Sequence, residues 1–131
     1  MTHAAGTFTV AAWDESTYQE LDGDAKLTKA TITFAMTGDI TGEANWTAVM
    51  CYRPDGTAVY TGYQLIQGQL GGVDGSFVVR ADGEFVDGEA RSRWNVIEGS
   101  GTGGLANLTG SGQAVATATP PGSFAFDYDL G

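Results

Sequence analysis

The sequence contains a single cysteine, Cys51, and a single histidine, His3, among its 131 residues. One cysteine excludes an internal disulfide and a metal site built from several thiolates. One histidine, placed close to the first residue, argues against a His-based catalytic triad, a facial-triad iron site and a His-rich zinc site. We therefore expect a protein without metal or organic cofactor.

Basic residues and long apolar runs are also scarce. Six Lys and Arg face 16 Asp and Glu, which gives a formal net charge of −10. Nucleic acids and anionic membranes both require clustered basic residues, so neither is expected as a partner. No apolar run reaches the 18 residues of a membrane span, and the first residues lack the pattern of a secretory signal. We expect one cytoplasmic domain over residues 1–131 and leave assembly into a homo-oligomer open.

Proline occurs three times, whereas glycine occurs 20 times. Five of the glycines follow aspartate, at Asp22-Gly23, Asp55-Gly56, Asp74-Gly75, Asp82-Gly83 and Asp87-Gly88. Asp-Gly is typical of tight hairpin turns, because both positions tolerate a positive φ. The pattern predicts many short strands joined by hairpins.

Between these turns, apolar and polar residues alternate as in half-buried strands, and no stretch shows a helical period. The pattern predicts eight strands: Gly6–Trp13, Lys26–Asp39, Glu43–Arg53, Thr57–Gln67, Val73–Asp82, Glu89–Ile97, Ser111–Thr117 and Ser123–Leu130. Asp14–Ala25 is predicted to be a polar loop. In the first strand we expect Phe8, Val10 and Ala12 to share one face.

Eight antiparallel strands with one apolar face favour an all-β fold, a closed barrel that leaves no exposed sheet edge. A barrel of this size encloses either packed side chains or one small ligand. A two-sheet sandwich is the competing architecture, and it fits the spacing of the strands nearly as well.

Several short segments, in one order along almost the whole chain, are typical of one bacterial family. They include Gly6-Thr7-Phe8-Thr9-Val10, Trp13-Asp14-Glu15, Thr37-Gly38-Asp39-Ile40-Thr41-Gly42-Glu43, Met50-Cys51-Tyr52-Arg53, Gly75-Ser76-Phe77-Val78 and Asp127-Tyr128-Asp129. On these segments the chain resembles the DUF3224 proteins, a family of unknown function.

That family in turn resembles the allene oxide cyclases and dirigent proteins, which are small eight-stranded antiparallel barrels. The resemblance implies an allene-oxide-cyclase-like barrel that binds a hydrophobic small molecule and steers a cyclisation or coupling without an organic cofactor. Many family members carry a carboxylate at the positions of Thr47 and Gln64 and a histidine at that of Ala81. All three residues are neutral here, so we expect no acid–base chemistry at those positions.

The inward face of the predicted barrel carries most of the aromatic side chains. Its candidate ligand-binding residues are Phe34, Trp46, Met50, Ser92, Trp94 and Phe126, and its candidate catalytic residues are Gln64 and Tyr60. Apolar walls with few polar groups are typical of small-molecule sites, although aromatic residues also fill ordinary barrel cores. Gln64 is the most informative, because a buried amide destabilises the fold unless it is hydrogen-bonded. It can bind a ligand carbonyl, or pair with Tyr60 or Ser92.

The remaining motifs favour structural roles. Gly99–Gly104 matches the G-x-G-x-x-G pattern, but no helix follows it, so we expect a glycine-rich loop at the barrel rim. Asp22-Gly23-Asp24 lacks the later ligands of a calcium loop. Asp127 and Asp129 are expected to face water, and Cys51 to be a structural thiol.

The sequence therefore predicts a barrel that binds a hydrophobic small molecule and steers a cofactor-free cyclisation or isomerisation. In this hypothesis the bound conformer lowers the entropic part of the barrier. A non-catalytic carrier of a hydrophobic ligand fits the same residues, and turnover of the ligand separates the two. A purely structural module with a filled core is the third alternative.

Overall fold

Alternating apolar and polar residues form β-strands along almost the whole chain. The computed structural model describes all 131 residues, from Met1 to Gly131. The strands are β1 (Thr2–Glu20), β2 (Lys26–Gly38), β3 (Ile40–Tyr52), β4 (Ala58–Leu70), β5 (Val73–Val86), β6 (Glu89–Val96), β7 (Thr102–Gly103), β8 (Thr109–Ala116) and β9 (Gly122–Asp129). There is no helix, and the all-β prediction is confirmed.

Eight of these strands close into an antiparallel barrel. Around the ring the order is β1, β2, β3, β4, β5, β6, β8 and β9, and β9 returns to pair with β1. Each strand thus lies beside its neighbours in sequence, as in an up-and-down barrel. The two-residue β7 pairs with the start of β5 outside this ring. Closure between β4 and β5 and between β1 and β9 excludes the two-sheet sandwich.

The first strand differs from its prediction. β1 continues to Glu20, so the polar loop predicted over Asp14–Ala25 is wrong for its first seven residues. The register against β2 shifts by one residue between Val10 and Ala12. Such a bulge reverses the faces of the residues that follow it. Ala12 therefore does not share the face of Phe8 and Val10, and Trp13 takes its place.

Beyond Phe8, β1 pairs with a neighbouring strand on one side only. Its pairing with β9 covers Thr2 to Phe8 only, whereas its pairing with β2 continues to Glu20. The β1–β2 hairpin therefore extends past the closed ring, and its outer edge is free from Thr9 onward. Closure removes most sheet edges, but not this one.

Three of the five Asp-Gly pairs lie at turns. At Asp87-Gly88 both residues have positive φ, 56° and 78°, which is the backbone that a type I′ hairpin requires. Asp22-Gly23 and Asp55-Gly56 also lie between strands. Asp74-Gly75 and Asp82-Gly83 lie inside β5. The first pair falls within the predicted strand Val73–Asp82, whereas the turn predicted at Asp82-Gly83 is wrong. Tertiary pairing with β4 overrides the local preference there.

One end of the barrel is filled by a packed core. Ile40, Ile66, Leu70, Phe77 and Phe126 are all almost completely buried at this end. The rings of Phe77 and Phe126 stack with their centroids 5.9 Å apart. The segment between β6 and β8 closes over them with two buried side chains, Leu105 and Leu108. The glycine-rich loop at Gly99–Gly104 belongs to this segment, so it seals the end of the barrel.

Candidate ligand-binding site

The opposite end of the barrel holds a cavity of about 300 Å³. Nineteen residues line it, 17 of them hydrophobic, and none carries a charge. Its mouth lies beside the free edge of β1, where the cavity-lining Val10 and Trp13 are 52% and 54% exposed. Because β9 does not cover this part of β1, the interior is open to the outside here.

Large aromatic side chains form one part of the wall. All three tryptophans of the chain, Trp13, Trp46 and Trp94, line the cavity. Trp46 packs edge-on against Tyr60, with ring centroids 5.1 Å apart. Edge-to-face geometry of this kind is a favourable arrangement of two aromatic rings. The Trp46–Tyr60 pair therefore stabilises this part of the wall.

Small side chains form the other part of the wall. Five alanines on β4, β5, β6 and β8 line the cavity: Ala58, Ala81, Ala90, Ala114 and Ala116. A barrel of eight strands has just enough interior volume for its own side chains. Because these positions carry only a methyl group, the space that larger residues would fill stays empty.

Few polar groups reach the cavity, and two of them pair with each other. The hydroxyl groups of Tyr60 and Ser92 lie 2.8 Å apart and form a hydrogen bond. One hydroxyl hydrogen makes this bond, so the other remains available to a ligand. Gln64, which is only 4% exposed, also lines the cavity. Its amide takes part in none of the side-chain hydrogen bonds of the barrel.

A hydrogen-bonded cluster around one carboxylate, that of Glu15, lies at the mouth of the cavity. Glu15 accepts hydrogen bonds on Oε2 from the hydroxyl of Tyr52 at 2.6 Å and from that of Thr28 at 2.7 Å. Its Oε1 accepts one from Nε1 of Trp13 at 3.0 Å. Tyr52 and Trp13 line the cavity, whereas Glu15 and Thr28 do not. The Lys26 ammonium lies over the Tyr52 ring, 5.1 Å from its centroid. The cluster fastens the extended β1–β2 hairpin to β3.

Comparison with known proteins agrees with this architecture. The model of a family described as a protein of unknown function, DUF3224, matches residues 4–128. The chain belongs to the DUF3224 family. A crystal structure of a DUF3224 protein with unknown function from Shewanella oneidensis MR-1 has a TM-score of 0.84 to this chain at 24% identity. The match covers 98% of this chain and 96% of that one, and it shows the fold alone. No curated protein matches the chain.

The protonation states of this DUF3224 barrel are set by burial and hydrogen bonding. Burial raises the pKa of Tyr52 to about 12, and the bond to the Glu15 carboxylate adds to that rise. Burial alone would raise the pKa of Glu15, but the bonds from Tyr52, Thr28 and Trp13 and the charge of Lys26 outweigh it. The net pKa of Glu15 is lowered. At neutral pH the mouth therefore holds a carboxylate and a neutral phenol.

Tyr60 is likewise neutral at physiological pH. Its burial raises the pKa of the phenol, Ser92 opposes the shift, and the charges of Glu84 and Asp82 raise the pKa further. A phenol in this state donates a hydrogen bond and does not act as a base. The interior of the DUF3224 barrel thus offers hydrogen-bond donors and no proton acceptor tuned to neutral pH.

Most of the predicted site residues meet in the cavity. Its wall includes Phe34, Trp46, Met50, Tyr60, Gln64, Ser92 and Trp94. Phe126 does not line it and packs in the sealed end, stacked on Tyr128 with centroids 5.6 Å apart. Gln64 and Ala81 point inward and Thr47 outward, as the alternation predicts. Gln64 pairs with neither of the two partners considered for it, because Tyr60 and Ser92 are hydrogen-bonded to each other.

Sequence reasoning missed the mouth of the cavity. The sequence pattern assigns no role to Glu15 or Thr28, and it places Trp13 at the end of a strand rather than in the wall of the cavity. The alternation of inward residues does continue through Trp13 and Glu15, but only if one residue is skipped between Val10 and Ala12. The bulge hides this signal.

The other weak motifs have structural roles in the DUF3224 barrel. Asp127 and Asp129 are exposed, and Asp127 pairs with His3 at 2.9 Å. Cys51 is half-buried on the outer face of β3. No group of three or more His, Cys, Asp or Glu is arranged to hold a metal ion. The structure contains no helix that could span a membrane.

A second depression of about 680 Å³ lies on the outer surface of the barrel. It is larger than the interior cavity, but its lining includes exposed Thr61, Arg91, Arg93 and Gln113. Small-molecule sites are concave and mostly apolar. The interior cavity is therefore the better candidate site, despite its smaller volume.

Proposed function

We propose that this protein binds one hydrophobic small molecule inside the barrel. The observation that carries the proposal is the open cavity of about 300 Å³, lined by three tryptophans and by no charged residue. An apolar cavity of about 150 Å³ already holds a benzene molecule in another protein. The space here is about twice as large, and suits a ligand of two fused rings or a short folded chain.

The proposal extends to chemistry on the bound molecule. A flexible unsaturated ligand held between the aromatic wall and the alanine wall adopts few conformers, which lowers the entropic part of a cyclisation barrier. The spare hydrogen of the Tyr60–Ser92 pair and the Gln64 amide can stabilise negative charge that develops on a carbonyl oxygen. A cyclisation or isomerisation only rearranges bonds, so it needs no oxidant and no organic cofactor. A relationship to the allene oxide cyclase barrels belongs to this proposal and is supported by the closed ring and its cavity.

Binding is tested with N-phenyl-1-naphthylamine, a neutral apolar dye. Because all three tryptophans line the cavity, energy transfer from tryptophan to a bound dye reports on this site directly. We expect saturable quenching of tryptophan emission, and a rise in melting temperature because the dye binds the native state. Polyenes, lactones and phenolics are then ranked by their displacement of the dye.

The matched variants are Ala114→Leu, which fills the cavity, and Ala35→Leu, which adds the same side chain to the exposed face of β2. We expect Ala114→Leu to weaken dye binding at least about tenfold, which is about 1.4 kcal/mol, and Ala35→Leu to leave it unchanged. Equal binding by the wild type and Ala114→Leu would show that the dye does not occupy the barrel. Compounds that bind are then incubated with the protein and analysed for isomers, and a ligand recovered unchanged would favour a carrier.

A further inference from the structure

We infer that the ligand is a neutral molecule with a carbonyl or amide group. This polar end of the ligand enters the cavity first, and Gln64 binds it in the depth of the cavity. This inference rests on the proposed function and adds the chemical class of the ligand and its orientation. Three observations support it: the absence of charge in the lining, the absence of net positive charge at the mouth and the cavity-facing amide of Gln64, which has no partner in the barrel.

The cavity has no group that could neutralise an acid. No Lys, Arg or His is among the residues that line it. A carboxylate taken from water into such a site loses its hydration and gains no opposite charge, which is strongly unfavourable. Hydrophobic acids are therefore poor ligands, although their apolar parts would fit.

The mouth offers an acid no compensation either. Glu15 is ionised at neutral pH, since its hydrogen bonds outweigh the effect of burial and keep its pKa below the usual 4.5, and it is hydrogen-bonded to two residues of the cavity wall. The nearby cation is Lys26, whose ammonium lies over the Tyr52 ring and lowers the pKa of Glu15. Glu15 and Lys26 carry opposite charges, so the mouth has no net positive charge that would offset the cost of burying a ligand carboxylate.

The depth of the cavity offers the opposite chemistry. Gln64 pairs across β3 and β4 with Trp46, which is 6% exposed and whose Nε1 has no hydrogen-bond partner. Gln64 is 4% exposed and makes no side-chain hydrogen bond within the barrel, and its amide atoms, unlike Nε1 of Trp46, reach the open space of the cavity. An amide that faces an apolar cavity and has no partner in the protein is free to pair with a polar group of a ligand. The amide donates to a carbonyl and accepts from an N–H, and both partners are neutral.

Three probes on one skeleton test this class: 2-acetylnaphthalene, 2-ethylnaphthalene and 2-naphthoate. Each is titrated by calorimetry at neutral pH, at low and at high salt, into the wild type, Gln64→Met and Gln67→Met. Gln67 lies on the exposed face of the same strand and is the matched control. Binding of the neutral dye is measured for every variant, so that a variant whose cavity has been lost is recognised.

We expect 2-naphthoate to bind at least about a hundredfold more weakly than 2-acetylnaphthalene, with little recovery at high salt because buried charges are weakly screened. Gln64→Met should lower the affinity for 2-acetylnaphthalene about tenfold relative to the affinity for 2-ethylnaphthalene, which is the size of one net hydrogen bond. Gln67→Met should change neither.

The outcomes separate the inference from the proposed function. If the dye and all three probes fail to bind, the proposed function fails and the inference fails with it. Two results would overturn only the inference, provided that the dye binds. One is that 2-naphthoate binds as tightly as 2-acetylnaphthalene, and the other is that none of the three naphthalene probes binds. An equal effect of Gln64→Met on ketone and hydrocarbon would remove Gln64 from recognition. The wild-type series decides the charge question even if Gln64→Met does not fold.

Discussion

The phenol of Tyr52 on β3 donates a hydrogen bond of 2.6 Å to the carboxylate of Glu15 on β1. The two residues are 37 positions apart, and their strands are not neighbours in the ring, because β2 lies between them. Thr28 on β2, which is 1% exposed, donates to the same oxygen. One carboxylate thus ties three adjacent strands together at the point where β1 has no partner on its other side.

Removal of this carboxylate should destabilise the barrel. Glu15→Ala leaves a buried threonine hydroxyl and a half-buried phenol without their acceptor, and we expect a loss of about 2 kcal/mol in the free energy of unfolding. Tyr52→Phe should lose about 1 to 2 kcal/mol. Urea denaturation of both variants and of the double variant measures the coupling, expected near 1 kcal/mol.

The control for this prediction is Tyr63→Phe, because Tyr63 is 60% exposed. Its unfolding free energy should stay within about 0.5 kcal/mol of the wild type. Additive losses in the double variant of Glu15 and Tyr52 would contradict a direct interaction between the two side chains.

The same pair sets a dependence of stability on pH. The pKa of Glu15 is lowered by folding from its usual 4.5, so the native state binds this proton less readily than the unfolded chain. Its contribution is complete above pH 4.5 and disappears as the pH falls through the lower native value. Unfolding midpoints measured across the acidic range should fall less steeply for Glu15→Gln than for the wild type. An unchanged acid profile would show that Glu15 is not a source of the effect.

At the alkaline end the sign is opposite. The pKa of Tyr52 rises from 10.0 to about 12 on folding, so its contribution is complete below pH 10 and is lost between pH 10 and 12. Tyr60 shifts in the same direction. Tyr52→Phe should therefore flatten part of the alkaline decline. An ultraviolet titration of the phenolate checks the native pKa directly, and ionisation of all five tyrosines near pH 10 would contradict it.

Gln64 should lower the stability of the free protein. Its amide has no partner within the barrel and faces an apolar cavity, so Gln64→Met, which keeps an unbranched side chain, should raise the free energy of unfolding by about 1 kcal/mol in the absence of ligand. A binding residue that costs stability is common at functional sites. Calorimetric melting of wild type, Gln64→Met and Gln67→Met measures the difference. A clear loss of stability in Gln64→Met would favour a structural role for the amide.

The sealed end should behave independently of the cavity. Leu105 is 1% exposed and closes the core between β6 and β8. Leu105→Ala should cost about 2 to 5 kcal/mol in the free energy of unfolding, and should leave the affinity for the neutral dye unchanged where the protein is folded. Dye titration below the unfolding transition tests both parts. Loss of dye binding in the folded variant would show that the sealed end and the cavity are one packing unit.

Much of the fold could be predicted because its signals are local. The alternation from Trp46 to Met50 indicates a strand with one buried face, and the burial of Trp46, Ala48 and Met50 confirms it. At Asp87-Gly88 the turn is predicted by conformational preferences of two adjacent residues. The bulge between Val10 and Ala12 carries no comparable signal, because it depends on the register against β2.

By itself, the sequence determined most of the strands and the residue types on their inward faces, since these follow from residue type and periodicity. Only the tertiary structure decided which inward residues face open space. Trp94 lines the cavity whereas Phe126, also inward and aromatic, is packed in the sealed end. The physical reason is that empty volume depends on side chains from opposite sides of the ring, such as Trp46 and Ala114, whose combined size no local pattern reports.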